Sequence, residues 1–421
     1  MHTLIVINPG HFHAALTLRE MHPALSKDVY VYAEEGPDLK SFIRLVNSFN
    51  SRKDNPTDWD LHVYAGNDFL DRAVNEAQGD IAIFAGKNNR KIHYIKALHD
   101  AGVKVLSDKP LTINQRGVDI LSELLEGGAE IDDIMTERHE ITSILQKELL
   151  DNKDIFGEFV LDGDEPAIVK ESVHHLYKTV NGSPLVRPAW YFDVNVQGEG
   201  IVDVTTHLAD LVQWMILGDD NVDFSADYEL CEASRWFTEV PLDKFKLVTK
   251  QDGFQQEIKG KVKDNSLQLY SNGDFIYKLR NVPVKLSVVW ALEAPEGGGD
   301  THFSIMRGTK ANLIIEQGPQ TANKPELFIE PVGDASELEA SLKAYVEGQG
   351  RSGLELIDEG KRFRLEIPQE LRTTHEEHFA AVRDSYIACL DGEKEFPANM
   401  RSALKAKYSL LAAARDMAAG K

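Results

Sequence analysis

Cys231 and Cys389 are the only cysteines in 421 residues. Two thiols cannot build a disulfide scaffold or a cysteine zinc site, and the expected compartment is a reducing cytoplasm. Long apolar runs are missing as well. The longest are as short as Ile81-Ala82-Ile83-Phe84-Ala85, against the roughly 20 apolar residues that a bilayer span needs, so no membrane partner is expected. Met1-His2-Thr3 leads straight into Leu4-Ile5-Val6-Ile7, without a basic stretch or a small-residue cleavage site, so no secretory leader is expected either. Basic residues are scarce relative to acidic ones, 46 against 68, and the formal charge is -22. Such a surface repels phosphates, and nucleic acid is excluded as a partner.

The hydrophobic set supplies 42% of the residues, ordinary for a soluble protein of two to three domains. The first third alternates short apolar runs with helical stretches. Runs at 4–7, 29–33, 61–64, 81–85 and 103–106 read as strands. Helices are predicted at 13–21, 39–50, 68–78 and 88–101, with the polar stretch Lys53 to Asp60 as a surface loop. This alternation predicts a doubly wound parallel sheet of Rossmann type, covered on both faces.

After about residue 135 the texture changes to period-2 alternation, clearest at Val284, Leu286, Val288, Trp290 and Leu292. A large, mostly antiparallel open sheet in an α+β domain fits. Asn272-Gly273 between Leu267, Leu269 and Phe275, Tyr277 predicts a hairpin turn. More strands are expected at 302–306, 312–316, 325–330 and 361–367, and helices at 375–391 and 401–418. The domains are therefore read as 1–135, 136–374 and the closing helices 375–421, packed back on the first.

The first strand-to-helix turn is where a dinucleotide would sit, because backbone N–H groups there cradle pyrophosphate. Against G-x-G-x-x-G, Asn8 holds the first position, Gly10 the second and His13 the third. Taken alone this motif is weak, and a tight turn without a ligand is the plain alternative. Glu34 closes the second strand, where a carboxylate accepts from ribose hydroxyls and repels a 2′-phosphate. That favours NAD over NADP, with Arg52 and Lys53 the residues able to serve a 2′-phosphate instead. Asp108-Lys109-Pro110 follows the fifth strand, at the sheet edge where open α/β folds bind ligands. If 203–216 is helical, Asp203, His207, Asp210 and Trp214 share one stripe, beside an apolar stripe of Leu208, Leu211, Val212 and Met215. A carboxylate and an imidazole one turn apart on a buried helix need partners or a purpose.

Together these segments resemble the Gfo/Idh/MocA family, the glucose-fructose oxidoreductase and inositol dehydrogenase relatives. Asp108-Lys109-Pro110 is similar to the family's E-K-P, and Ala101 to Ser107 to the segment before it. Gly200, Asp203, His207 and Asp210 match its second-domain motif, and Arg307 to Leu313 looks like its G-T-K-G-x-L strand entry. The closing helices, with Pro397 before the last, extend the resemblance over nearly the whole chain. The departures are specific. Asn8 and His13 replace glycines, Asp108 a glutamate and Thr205 a helix glycine, while Lys87-Asn88 replaces P-N and Lys91 a histidine.

The resemblance implies hydride exchange between a nicotinamide and a secondary alcohol carbon of a sugar, glycoside or cyclitol. A histidine near pKa 6.5 suits the proton transfer. His207 is the expected base, Asp203 the group that orients it, and Lys109 the donor that stabilises alkoxide charge. Asn8, Gly10, His11, Phe12, His13, Glu34, Gly86, Lys87, Asn88, Asp108 and Lys109 are expected to hold NAD. Arg138, Arg187, Trp190, Tyr191 and Asp210 are the substrate-binding candidates, with His174 and His175 in a segment that shapes the pocket. No metal is expected. The implied assembly is a homodimer or homotetramer through the open sheet face. Two alternatives stay open: an NAD-dependent redox-neutral glycoside hydrolase, whose T-H and Q-W are similar to Thr206-His207 and Gln213-Trp214, and a non-catalytic sugar or dinucleotide sensor.

Overall fold

The computed structural model describes residues 1–180 and 183–420. Six strands, β1 (His2–Ile7), β2 (Leu25–Ala33), β3 (Asp60–Ala65), β4 (Ile81–Phe84), β5 (Lys104–Ser107) and β6 (Ile131–Asp133), form one sheet in the order β3-β2-β1-β4-β5-β6. Every pairing in it is parallel. The central strands carry side chains that are buried on both faces, as at Leu4, Ile5, Val6, Ala82 and Ile83, because helices cover both sides. Strand order reverses between β1 and β4, which opens a crevice at their carboxyl ends.

The helix after β1 is shorter than its sequence suggests, spanning His13–Leu16. Donors from elsewhere take the carbonyls that would have continued it. Arg383 Nη1 donates to Thr17 O at 2.6 Å and Glu20 O at 2.8 Å, and Trp59 Nε1 donates to Leu18 O at 2.7 Å.

The second sheet has ten strands. Its central strand, Ile168–Tyr177, runs parallel to Val282–Glu293 and antiparallel to Thr301–Arg307. The alternation read from the sequence is the burial pattern itself: Val284, Leu286 and Val288 point inward, toward the helix Thr205–Leu217. The hairpin differs from expectation. Ser266–Leu279 runs unbroken through Asn272-Gly273, and the chain reverses at Arg280-Asn281, both with positive φ, 48° and 67°. The Asn272 side chain instead accepts from Trp290 N at 2.7 Å and donates to Thr238 Oγ1 at 2.9 Å. Gly273 leaves room for Ile201, whose Cβ would lie 2.8 Å from an added Cβ, and one on Gly200 would fall 1.7 Å from Ser271 O. Asn-Gly here serves a close approach rather than a turn.

The helix His375–Leu390 returns to the parallel sheet, burying Phe379, Val382, Tyr386 and Ile387 in one cluster with Leu4 and Val6. Met400–Ala418 lies between the helix Gln115–Glu126 and the strand Tyr228–Pro241, so it touches both sheet domains. Among the described residues no helix is long and apolar enough to cross a membrane.

Candidate active site

Asp108 and Lys109 leave β5 beside the crevice. Their backbone is fixed by Asp108 N donating to Phe84 O at 2.7 Å, and by buried Lys91, whose Nζ donates to Asp108 O at 2.8 Å and Pro110 O at 3.1 Å. Burial pulls the Lys91 ammonium down to about 8. Lys109 Nζ then reaches across to the second domain and meets Asp203 Oδ1 at 2.8 Å, while Asp203 Oδ2 accepts from Gln197 Nε2 at 3.0 Å. Asp203 sits just before the helix Thr205–Leu217, in the loop that Gly200 and Gly273 allow to press on the large sheet.

His207 lies one turn further on. Its Nδ1 is buried and, among the described residues, without a partner. Burial, reinforced by Lys109 and His375, holds its pKa well below the ordinary histidine value, so the imidazole is neutral at pH 7. Lys109, Asp203 and His207 all line one cavity of about 560 Å³ between the domains.

Three further groups line this cavity. On one wall the Arg187 guanidinium stacks over Tyr191 and Trp290, at 5.0 and 4.9 Å, and its Nε and Nη2 donate to Leu176 O and His175 O. Beside it Asp300 bonds His174 Nδ1 and His175 Nδ1, both at 3.2 Å, and also Lys178. Burial raises the Asp300 pKa, but His174 and Lys178 outweigh it and hold the carboxyl below the usual range. At the sheet edge His13 Nδ1 lies 3.0 Å and His11 Nδ1 3.9 Å from Asp108 Oδ2. Burial lowers both imidazoles. It raises Asp108, yet His13, Lys91 and His11 keep that carboxyl ionised.

Several expected roles need correction. Asp203 does not orient His207, because its two oxygens are taken by Lys109 and Gln197. Arg138 and Asp210 lie outside this cavity and bind each other through two bonds, at 2.6 and 2.8 Å. Asp210 also holds Lys407 at 2.7 Å, and Lys407 holds Asp133 at 2.9 Å. These groups form a buried ionic network, leaving neither free for a sugar. Trp190 is not a pocket wall either: its Nε1 donates to Asp38 at 2.9 Å and its ring lies against Gly10. Gly10 N and His11 N both donate to Ala85 O, at 2.9 and 3.1 Å, so two amides expected to face pyrophosphate are engaged. Thr206 and Gln213 serve packing, through Val202 O, Tyr228 Oη and Ala403 O.

Other expected residues fall where a nucleotide would need them. His11, Phe12, His13, Gly86 and Asn88 line the cavity. Glu34 is half-exposed at the end of β2, with Lys87 Nζ 3.6 Å from its carboxylate and Asn8 Oδ1 accepting from its N–H. Sequence reading missed Gln197, Lys178, Trp290, Asp300 and His375 as members of this site. Gly297-Gly298-Gly299 before Asp300 is the one local signal that a functional loop stood there.

An open α/β domain joined through a polar cleft to a large mixed sheet defines a two-domain oxidoreductase architecture. Residues 145–419 match the family described as "Putative oxidoreductase C terminal domain". The chain belongs to that oxidoreductase family, and its fold is of the Gfo/Idh/MocA type. A solved oxidoreductase from Parabacteroides merdae ATCC 43184, titled as putative, is 43% identical, with a TM-score of 0.95 over 100% of this chain and 98% of that one. A levoglucosan dehydrogenase shares the fold at 12% identity and TM-score 0.63, over 99% and 97% of the two chains. A putative myo-inositol dehydrogenase from Sinorhizobium meliloti 1021 does so at 14% and 0.57, over 100% and 98%. A search of curated protein sequences returns no match.

Proposed function

We propose that the chain is a nicotinamide-dependent dehydrogenase that acts on a secondary alcohol carbon of a sugar, glycoside or cyclitol, with NAD preferred. The observation that carries this reading is the Lys109–Asp203 ion pair across the cleft, with the unpartnered Nδ1 of neutral His207 in the same cavity. Fold relatives support the cofactor class, since levoglucosan dehydrogenase is solved with NADH and a 3-ketoreductase, KijD10, with NADP.

The residues present fit a dinucleotide. Glycine at 10 and 86 keeps the turn after β1 close to the turn after β4, where an added Cβ on Gly86 would lie 2.7 Å from Asn8 O. Asn8 to His13, Gly86 to Asn88 and Asp108-Lys109 would hold the cofactor. Glu34 would meet its ribose. NAD is favoured over NADP because Arg52 is turned away from Glu34, donating to Asn55 O, Arg19 O and Glu20.

Bound nicotinamide supplies the hydride acceptor. His207, neutral at pH 7, accepts the hydroxyl proton. Lys109 stabilises negative charge on the same oxygen, and Asp203 and Gln197 keep its ammonium in place. Tyr191 and Trp290, edge to face with ring centroids 5.7 Å apart, line the cavity and offer aromatic surface of the kind that a sugar ring packs against. A panel of sugars, glycosides and cyclitols with NAD and NADP, followed at the nicotinamide absorbance, tests the reading. Stoichiometric reduction of NAD by one substrate class is expected. Cleavage of an aryl glycoside with catalytic NAD and no net reduction would replace it by the hydrolase.

A further inference from the structure

The turn after β1 carries an oddity that nicotinamide binding does not explain. His11 and His13 stand two residues apart where the family resemblance leads one to expect a compact, glycine-bearing loop, and both aim Nδ1 at one oxygen of Asp108. His13 Nδ1 lies 3.0 Å and His11 Nδ1 3.9 Å from Asp108 Oδ2. All three ligand atoms lie within 4.8 Å of one another. A tetrahedral ion at about 2.0–2.2 Å from nitrogen and oxygen ligands sets those ligands roughly 3.3–3.5 Å apart. The two measured separations straddle that spacing.

A simple hydrogen-bonded pair accounts for His13 and Asp108 but leaves His11 over. Its Nδ1 is buried and, among the described residues, makes no hydrogen bond. The nearby cations do not occupy the carboxylate either. Lys91 is spent on the carbonyls of Asp108 and Pro110, and Lys109 is held by Asp203. Two imidazoles and one carboxylate, all on the wall of a cavity, are the donor set of an open three-ligand zinc site.

We propose that His11, His13 and Asp108 bind one divalent transition-metal ion, zinc the best match, with its fourth position open to the cleft beside Lys109 and His207. A water or a substrate hydroxyl would fill that position, and the ion would polarise it as a Lewis acid. The site shares these three residues with the proposed nucleotide cradle, and it is tested without nucleotide so that the two readings fail separately.

Zinc chloride alone, titrated calorimetrically into the chelator-treated full chain without nucleotide or sugar, tests it. One ion per chain is expected, with affinity weakened at least tenfold in His11→Ala and in His13→Gly. His62→Ala, which breaks the exposed Asp28–Asp60–His62 cluster, should bind as the wild type does. Loss of binding in that variant, or undiminished binding in both of the others, overturns the site. Should either variant fail to fold, cobalt in the wild-type chain decides: a visible d–d band of four-coordinate strength is expected, and its absence overturns the proposal. Because no nicotinamide is present, failure here leaves the dehydrogenase reading standing, and failure of the sugar panel leaves the metal site standing.

Discussion

Lys109 Nζ and Asp203 Oδ1 meet at 2.8 Å across 94 positions of sequence, one arriving from the end of β5 and the other from the loop before a helix of the second domain. The pair exists only while the two domains face each other, and both groups are nearly buried. A charge pair held this far from water needs both members. Removing one strands the other.

Lys109→Ala and His207→Ala should each lower turnover on the true substrate by about 10²–10⁴-fold, the usual worth of a positioned proton-transfer or charge-stabilising group. Nucleotide binding, followed by fluorescence titration, should survive His207→Ala, since that residue belongs to the second domain. Near-normal turnover in His207→Ala would move the proton transfer to another residue.

Glu34→Ala should narrow the preference for NAD over NADP, because it removes the carboxylate that repels a 2′-phosphate and frees Lys87, 3.6 Å away, to attract one. Calorimetric binding constants for both nucleotides measure this. Equal binding by the unmutated chain would contradict the assignment of Glu34.

Lys407→Met should be among the most destabilising single changes. The ammonium lies 2.9 Å from Asp133 and 2.7 Å from Asp210, and all three side chains are buried. Arg138 alone cannot serve both carboxylates. A loss of about 3–5 kcal/mol in urea unfolding is expected, while the folded fraction keeps its turnover, because the network lies outside the cleft.

Acid should destabilise the chain through its buried histidines, against an opposing contribution from Asp132 and Glu140, whose carboxyls burial raises to about 7. Burial, helped by His375 and His139, pulls His378 down to about 4, and burial with Lys170 pulls His302 down to about 3. Unfolded histidines take up protons below about 6.5. The unfolded chain therefore binds more protons, and stability, full above that value, falls as pH drops through it toward the folded values. The urea midpoint should be lower at about pH 5 than at about pH 7.5, with a smaller difference in His378→Asn. An unchanged pH difference in His378→Asn would mean that this imidazole is protonated in the fold.

Gly200→Ala tests the close approach that seats Asp203. An added Cβ would fall 1.7 Å from Ser271 O, so the loop or the strand must shift. A cost of about 2–4 kcal/mol is expected, together with a loss of turnover larger than that of Gly253→Ala, where nothing lies within 4 Å.

Local patterns made much of this legible. Period-2 burial at Val284 to Val288 and the βα alternation of the first third are properties of neighbouring residues, and the sequence displays them directly. Lys109 could be placed at a sheet edge, and Asp203 with His207 on one turn of helix, for the same reason. What was misread depends on distant partners. Asp210 looks like a substrate ligand until Lys407 arrives from 197 positions away to pair with it. Helix 13–21 looks continuous until Arg383, 366 positions on, takes the Thr17 carbonyl. Asn272-Gly273 carries the signature of a turn, but the space it leaves is filled by Ile201. No periodicity encodes such encounters.

Met400–Ala418 has a consequence for how the protein comes into being. Tyr408 from this helix accepts the Leu111 amide at 3.0 Å, two residues after Lys109, and donates to Asp133, the partner of Lys407. The loop bearing Lys109 is thus braced by residues that the ribosome makes nearly three hundred codons later. The first domain can collapse early during synthesis, yet its working edge stays unbraced until the final helix has left the exit tunnel. Every chain stalled short of that helix is incomplete at the site itself, so the edge that carries Lys109 becomes rigid later than the sheet it grows from.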